Sequence, residues 1–293
     1  MPTHGILLLD KPSGLTSNGA LSRAKRILGI KKAGHTGALD PMATGLLPLC
    51  FGQATKVSQF LLESDKQYLA DIQLGQTTTS GDADGEVIDE RDLPELNLER
   101  VEAVLDRFRG SIEQIPPMVS ALKYKGQRLH ELARQGIEVE RPPRRVIIHQ
   151  LDLLEQDAQR LTVRVQCSKG TYIRSLAVDI GEVIGCGAHL SRLRREKSGP
   201  FSLGNAITLD QLLKLEQESA RARLLPPDQA LVHLNTIHIT QDQAKSLRYG
   251  QPVPLDHAPT TLIRIYADND FVGVATVDEE GILRSKRLFD LTM

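Results

Sequence analysis

The sequence predicts an α+β fold with a smaller β-rich unit at its C-terminal end. Three observations lead there. Strand-like and helix-like apolar runs are mixed along the chain without strict βαβ alternation. Beyond about residue 233 the texture changes. Short β-rich runs (Leu262 to Tyr266, Phe271 to Val277, Ile282 to Leu288) are separated by Asp-Asn-Asp and Glu-Glu-Gly turns, the pattern of an antiparallel meander. Finally, 293 residues suit one large domain plus a small one, or two ordinary domains.

Taken in order, Ile6 to Leu9 forms a short apolar strand, ended by the turn DKPSG. Ser17 or Asn18 can cap a helix that runs through Leu28, with Leu21, Ala24 and Leu28 on one face and Gly29 as its stop. Leu46 to Phe51 and a helix-like stretch from Ala54 to Leu62 follow, then an alternating strand, Tyr68 to Leu74. TTTSGDADGEV is a polar, glycine-punctuated loop, and Leu98 to Phe108 has helical spacing up to a stop at Gly110. Residues 112–145 mix prolines and basic residues around one short amphipathic helix, Arg128 to Arg134, and read as an excursion from the core. Leu161 to Cys167 alternates as a strand. A helix from Ile173 to about Ile184 turns Leu176, Ile180 and Ile184 inward, and a further helix is expected from Ile207 to Leu225.

Composition narrows the class. No apolar run reaches the length of about 18 residues that a membrane span needs. The N-terminus reads as a first strand and not as a signal peptide. Three scattered cysteines, Cys50, Cys167 and Cys186, form neither a disulfide framework nor a zinc pattern, so a reducing cytoplasm is expected. The net charge of −1 conceals a strong asymmetry. Residues 1–58 carry +5, 59–114 carry −9, 115–148 carry +4 and 160–200 carry +5. Three basic segments can assemble a positive face for a polyanion.

Several chemistries are absent from the motifs. There is no GxxxxGK[ST], HExxH, G-x-S-x-G or deaminase HxE…PCxxC, and GCGAHL at 185–190 fails GxGxxG at its last position. The eight histidines are dispersed, with no pair at ligand spacing. What remains is carboxylate chemistry, basic segments and a few tyrosines. GHTGALDPMATG, residues 34–45, places Asp40 against a proline, which favours an extended backbone, among glycines that permit unusual angles. Such a loop can hold an acid over a cleft. It can equally be a turn that starts a helix, with Asp40 as the cap.

HTGALDPMATGLLP, with LLLDKPSGLTS before it and SDKQYLADIQLG and CSKGTYIRSLAVDIGEVIGCGAHL after it, closely resembles the TruB-type tRNA pseudouridine synthases. The resemblance covers essentially the whole chain. It implies a mixed, mostly antiparallel sheet flanked by helices in a catalytic domain of residues 1–232, a thumb-like insertion at about 112–145, and a PUA-like RNA-binding domain at 233–293. It implies isomerisation of uridine to pseudouridine at position 55 in the TΨC loop of tRNA, on a flipped-out base, with no cofactor, ATP or metal. The expected partners are the TΨC stem-loop and the acceptor stem of tRNA, with no guide RNA and no membrane, and the chain is expected to act as a cytoplasmic monomer.

The same resemblance assigns residues. Asp40 becomes the nucleophile, attacking either C1′ of the ribose or C6 of the base. Arg174 becomes its cationic partner, and Asp82 joins that network, although TTS at 78–80 departs from the T-D-T that relatives often carry. Tyr68 stacks on the target base and takes part in proton transfer. Tyr172 and Leu193 contact the uracil, and His35 enters the space that the flipped nucleotide leaves. Lys123, Lys125, Arg128, Arg144 and Arg145 meet RNA phosphates.

Overall fold

The computed structural model describes residues 3–120 and 122–290. The first two and last three residues of the expected domains therefore lie outside the described residues. The first strand, β1 (Gly5–Lys11), is buried on both faces: Leu7 and Leu9 point into one core cluster, Ile6 and Leu8 into another. That two-residue period is the strand's own geometry. Helix α1 (Ser17–Leu28) follows and buries Ala20, Leu21, Ala24 and Leu28. Its cap is Thr16, whose hydroxyl accepts the Gly19 N–H, and not Ser17 or Asn18 as the sequence suggested. Gly29 ends the helix in the left-handed conformation.

Strand β2 (Ala33–His35) and strand β3 (Thr44–Phe51) flank the Asp40 loop and pair antiparallel with each other. A 3₁₀ turn (Gly52–Val57) and α2 (Ser58–Glu63) lead to β4 (Lys66–Leu74). The polar loop forms a small hairpin of β5 (Gln76–Thr78) and β6 (Val87–Glu90). Helix α3 (Leu98–Asp106) packs ahead of β7 (Gly110–Gln114). The excursion holds a two-stranded hairpin, β8 (Lys123–Tyr124) with β9 (Gln127–Arg128), and α4 (Leu129–Arg134). Strands β10 (Arg144–Gln156) and β11 (Arg160–Cys167) return to the main sheet. Helix α5 (Ile173–Ile184) and β12 (Ala188–Ser198) follow.

The expected helix from Ile207 to Leu225 is broken. After β13 (Phe201–Ser202), the segment holds β14 (Ile207–Thr208), α6 (Leu209–Leu213) and α7 (Gln217–Arg221). Thr208 caps α6 in a reciprocal box with Gln211, and Glu216 turns extended to start α7. The main sheet runs β14-β1-β3-β12-β4-β11-β10-β7, with β2 and β13 at its margins. Only β1–β14 and β3–β12 are parallel, so the sheet is mixed and mostly antiparallel.

A second sheet contains β15 (Thr236–Ile239), β16 (Val253–Pro254), β17 (Thr260–Ala267), β18 (Asp270–Val277) and β19 (Ile282–Leu288), with helix α8 (Gln241–Arg248) beside it. The last three strands are the expected meander; β15 and α8 carried too weak a pattern to be read. Phe271, Val274 and Phe289 pack with Ile6, Leu8, Leu46 and Cys50 behind the main sheet.

The crossing of β3 and β12 is unusually close. Gly45 has φ +101°, and a Cβ there would lie 2.4 Å from the Arg195 carbonyl oxygen and 2.7 Å from its nitrogen. Gly45→Ala is therefore expected to cost about 2 kcal/mol or more through backbone strain and displacement of β12. Urea denaturation checks this: a midpoint unchanged from that of the parent chain contradicts it.

Candidate active site

Asp40 lies in a loop between two strands and starts no helix, which removes the capping alternative. The loop is tied down from several sides. Ser17, first residue of α1, exchanges hydrogen bonds with Leu39: its Oγ accepts the Leu39 N–H at 2.8 Å and donates to the Leu39 carbonyl at 3.1 Å. Lys11 is fully buried, and its ammonium donates to the carbonyls of Pro12, Leu15 and Pro41. Burial brings its pKa down to about 8. Gly37 takes φ +121°, whereas Gly34 needs no such angle and sits in β2. Sequence reading missed Ser17 and Lys11. The DKPSG turn marked their neighbourhood, but nothing local says that they reach Leu39 and Pro41.

Arg174 occupies the first turn of α5, where the helix dipole disfavours a cation. Two carboxylates outweigh that. Its Nε lies 3.0 Å from Asp40 Oδ2 and 3.5 Å from Asp82 Oδ2, and its Nη2 donates to Asp40 Oδ1 at 3.3 Å. The remaining donors meet the Ser80 carbonyl at 3.2 Å and the Val119 carbonyl at 2.8 Å. The guanidinium is only 4% exposed and Asp82 only 5%, while 37% of the Asp40 side chain still meets solvent. Asp82 is held from its own loop by the Ser80 hydroxyl and the Asp84 N–H. The TTS departure thus places a serine on the network carboxylate.

Asp40 opens into a cavity of about 310 Å³ that Tyr68, Tyr172, Arg174 and Leu193 also line, with Lys66 and Arg195. Burial raises the Asp40 pKa above the usual carboxylate range, and Asp82 and Asp84 add to the rise; Arg174 and Lys11 oppose it. Burial also raises the Tyr68 hydroxyl, against the pull of Arg195. Gln114 clamps the start of α5: its amide accepts the Tyr172 N–H at 3.1 Å and donates to the Tyr172 carbonyl at 3.3 Å. Gln114 was another residue that sequence reading passed over.

The five expected cavity residues therefore come together, with Asp82 behind Arg174. His35 does not line the cavity. It is half-buried in β2, its Nδ1 has no hydrogen-bond partner among the described residues, and burial lowers its pKa. Lys123, Lys125 and Arg128 are exposed on the β8–β9 hairpin, and Arg144 and Arg145 are exposed at the start of β10, with the Arg145 Nε on Ser111 Oγ at 2.6 Å. No group of three or more metal-ligating side chains occurs among the described residues, and no helix among them is long and apolar enough to cross a membrane.

The mostly antiparallel sheet carries an aspartate–arginine pair in a cavity that a tyrosine also lines, and the family whose description matches the chain gives the class: a pseudouridylate synthase. The family description "TruB family pseudouridylate synthase (N terminal domain)" matches residues 25–173, "tRNA pseudouridylate synthase B C-terminal domain" matches 174–232, and "Pseudouridine synthase II TruB, C-terminal" matches 236–289. The chain belongs to the TruB family, and it is an isomerase acting on tRNA uridine.

Among its relatives, tRNA pseudouridine synthase B of Dechloromonas aromatica is 51% identical over 98% of this chain and 96% of its own. That of Chromohalobacter salexigens is 47% identical over 99% and 95%. Of the solved structures, a Cbf5-Nop10-Gar1 complex matches with TM-score 0.76 and 28% identity, covering 98% of this chain and 85% of that one. An H/ACA RNP bound to a substrate RNA containing 2′-deoxyuridine matches with TM-score 0.74 and 25% identity over the same shares.

Proposed function

We propose that this enzyme converts the uridine at position 55 of the tRNA TΨC loop to pseudouridine, with Asp40 as the nucleophile on a flipped-out base. The Arg174–Asp40 pair at 3.0 Å, set in a cavity that Tyr68 also lines, carries this reading. The nucleophile must be ionised, and burial works against that; a guanidinium against both carboxylate oxygens restores it. The cavity suits a single everted pyrimidine nucleoside. Tyr68 offers a ring face for stacking and a hydroxyl for proton movement, and Tyr172 and Leu193 supply apolar walls.

His35, at the end of β2 and two residues before the cavity-lining Gly37, would fill the stack left by the base. Lys123, Lys125, Arg128, Arg144 and Arg145 would follow the phosphates of the RNA arm. In this reading residues 1–232 are the catalytic domain, with the 112–145 excursion as a thumb, and 233–293 hold the acceptor-stem end of tRNA. The excursion belongs to the site: it supplies the Val119 carbonyl to Arg174, and the Ile115 carbonyl to Ser175 Oγ. The enzyme would act as a monomer in the cytoplasm, without cofactor or guide RNA.

The test uses purified protein and an unmodified tRNA transcript, with no metal, nucleotide or second RNA. One pseudouridine, mapped to position 55, is the expected product. Product at other positions only would overturn the site of modification. Product only after addition of another RNA would overturn stand-alone action.

A further inference from the structure

Next to the catalytic pair lies a second arginine that neither composition nor motif singled out. Arg195 is 1% exposed and heads the fully buried side chains by size. It stands on β12 directly opposite Tyr68 on β4, so the two side chains share one face of the sheet. A register shift follows between Arg195 and Lys197, the kind of irregularity that re-aims a side chain.

Its charge has no acidic partner. Arg164 pairs with Glu196, Arg174 with Asp40 and Arg194 with Asp10, whereas no carboxylate lies within ion-pair distance of Arg195 among the described residues. Its donors go elsewhere. Nε donates to the Leu46 carbonyl at 2.6 Å, Nη2 donates to the Gly37 carbonyl at 3.1 Å, and the side chain lines the same cavity as Tyr68. Gly37 and Leu46 bracket the Asp40 loop on its two sides. Burying a guanidinium without an anion is costly, and an apolar side chain of similar volume would fill the space at lower cost. What the apolar side chain lacks is a rigid plane of donors that reaches both sides of the Asp40 loop at once.

We propose that Arg195 is a positioning residue of the reaction: its planar guanidinium, tied to both ends of the Asp40 loop and set opposite Tyr68, holds the general acid–base group in one frame with the nucleophile. This inference rests on the assignment of Asp40 and Tyr68 to the chemistry. Lys66, which also lines the cavity, does not share the role. Its ammonium is taken up by the carbonyls of Leu61, Leu62 and Ser64.

Arg195→Lys keeps the charge and removes the plane. Single-turnover pseudouridine formation on unmodified tRNA is expected to fall about 100-fold, the scale of a misplacement near 1 Å. The Kd for tRNA should stay within about threefold, since the contact is with the protein's own groups.

A spectroscopic readout separates positioning from bulk stability. The chain has five tyrosines and no tryptophan, so 3-fluorotyrosine labelling gives a simple ¹⁹F spectrum in which Tyr68→Phe identifies the Tyr68 signal. Arg195 favours ionisation of that hydroxyl, so Arg195→Met should move the Tyr68 titration to higher pH. Asp40 and Cys167, the other titrating groups that bear on it, remain in place.

A rate within threefold of the parent overturns the proposal. So does a rate loss with an unmoved Tyr68 signal in both variants, or a loss of affinity as large as the loss of rate. If Arg195→Met fails to fold, Arg195→Lys supplies both measurements: a perturbed Tyr68 signal supports the proposal and an unperturbed one overturns it. Failure of the underlying site assignment looks different, because Asp40→Asn and Tyr68→Phe would then retain full activity whatever Arg195 does.

Discussion

Asp40→Asn is expected to lower single-turnover pseudouridine formation by at least about 10⁴-fold, which corresponds to about 5 kcal/mol in the barrier. Asparagine has nearly the shape of aspartate and can still accept a hydrogen bond from Arg174, but it has no charge and is a poor nucleophile. The contrast with binding and stability is what makes the prediction specific. Phosphate contacts made by exposed basic residues should keep tRNA affinity within a few-fold.

Stability should not fall and should rise at neutral pH. The sign follows from the direction of the shift: burial raises the Asp40 pKa in the folded chain, so the folded state holds that proton more tightly than the unfolded chain does. Stability contributed by the protonated form is complete below the ordinary carboxylate pKa and is lost as pH rises through the folded value. Asparagine is neutral throughout and escapes that loss. Undiminished pseudouridine formation in Asp40→Asn, assayed by single-turnover kinetics, removes Asp40 from the chemistry.

Arg174→Met should produce the second large effect, and in both properties. Asp40 and Asp82 would face each other with the cation between them gone, and the carbonyls of Ser80 and Val119 would each lose a donor. Asp40→Asn leaves the guanidinium paired with Asp82, whereas this change removes the cation that two carboxylates share, and losing such a buried partner costs about 3 kcal/mol or more. Because the guanidinium lowers the Asp40 pKa, its loss moves the acid limb of the pH–rate profile to higher pH. At neutral pH the rate should fall about 10³-fold, a loss of charge stabilisation comparable to that of removing a strong donor from a preorganised site. Raising the pH should restore part of it. Arg174→Lys should recover the charge but not the two-oxygen grip on Asp40. If Arg174→Met changed only tRNA affinity, with the pH profile unmoved, its proposed role beside Asp40 would be wrong.

Much of this architecture was legible in the sequence, and the reasons differ by element. Helix α5 was readable because Leu176, Ile180 and Ile184 repeat at helical spacing; the structure adds its stop, Gly185 in a left-handed cap. Strand β11 was readable because one face is buried and the alternation is clean. Residues 207–225 were misread because apolar residues at helical intervals do not reveal an extended Glu216 that separates two short helices. Thr16 was missed as the cap because Ser17, an equally good candidate, uses its hydroxyl on Leu39 instead.

At the site, Asp40, Tyr68, Tyr172, Arg174 and Leu193 were reached through motifs, since no local rule brings positions 134 apart in sequence into contact. Lys11, Gln114 and Arg195 act through backbone carbonyls and amides of distant segments. Such partners leave no mark in residue type or spacing. The buried polar residue with an unannounced purpose is where sequence reasoning stops.

The Asp40 loop ends on β3, a strand that has core side chains on both faces: Leu47, Leu49 and Phe51 toward α1, and Leu46 and Cys50 toward the Phe271–Phe289 cluster. Sliding such a strand by one residue would invert every one of those side chains, so intermediate registers are not accessible. The position of Asp40 is therefore digital rather than analogue. Damage to the rear of the sheet leaves it where it is until the whole core gives way, and activity lost through that route should vanish together with the fold instead of declining ahead of it.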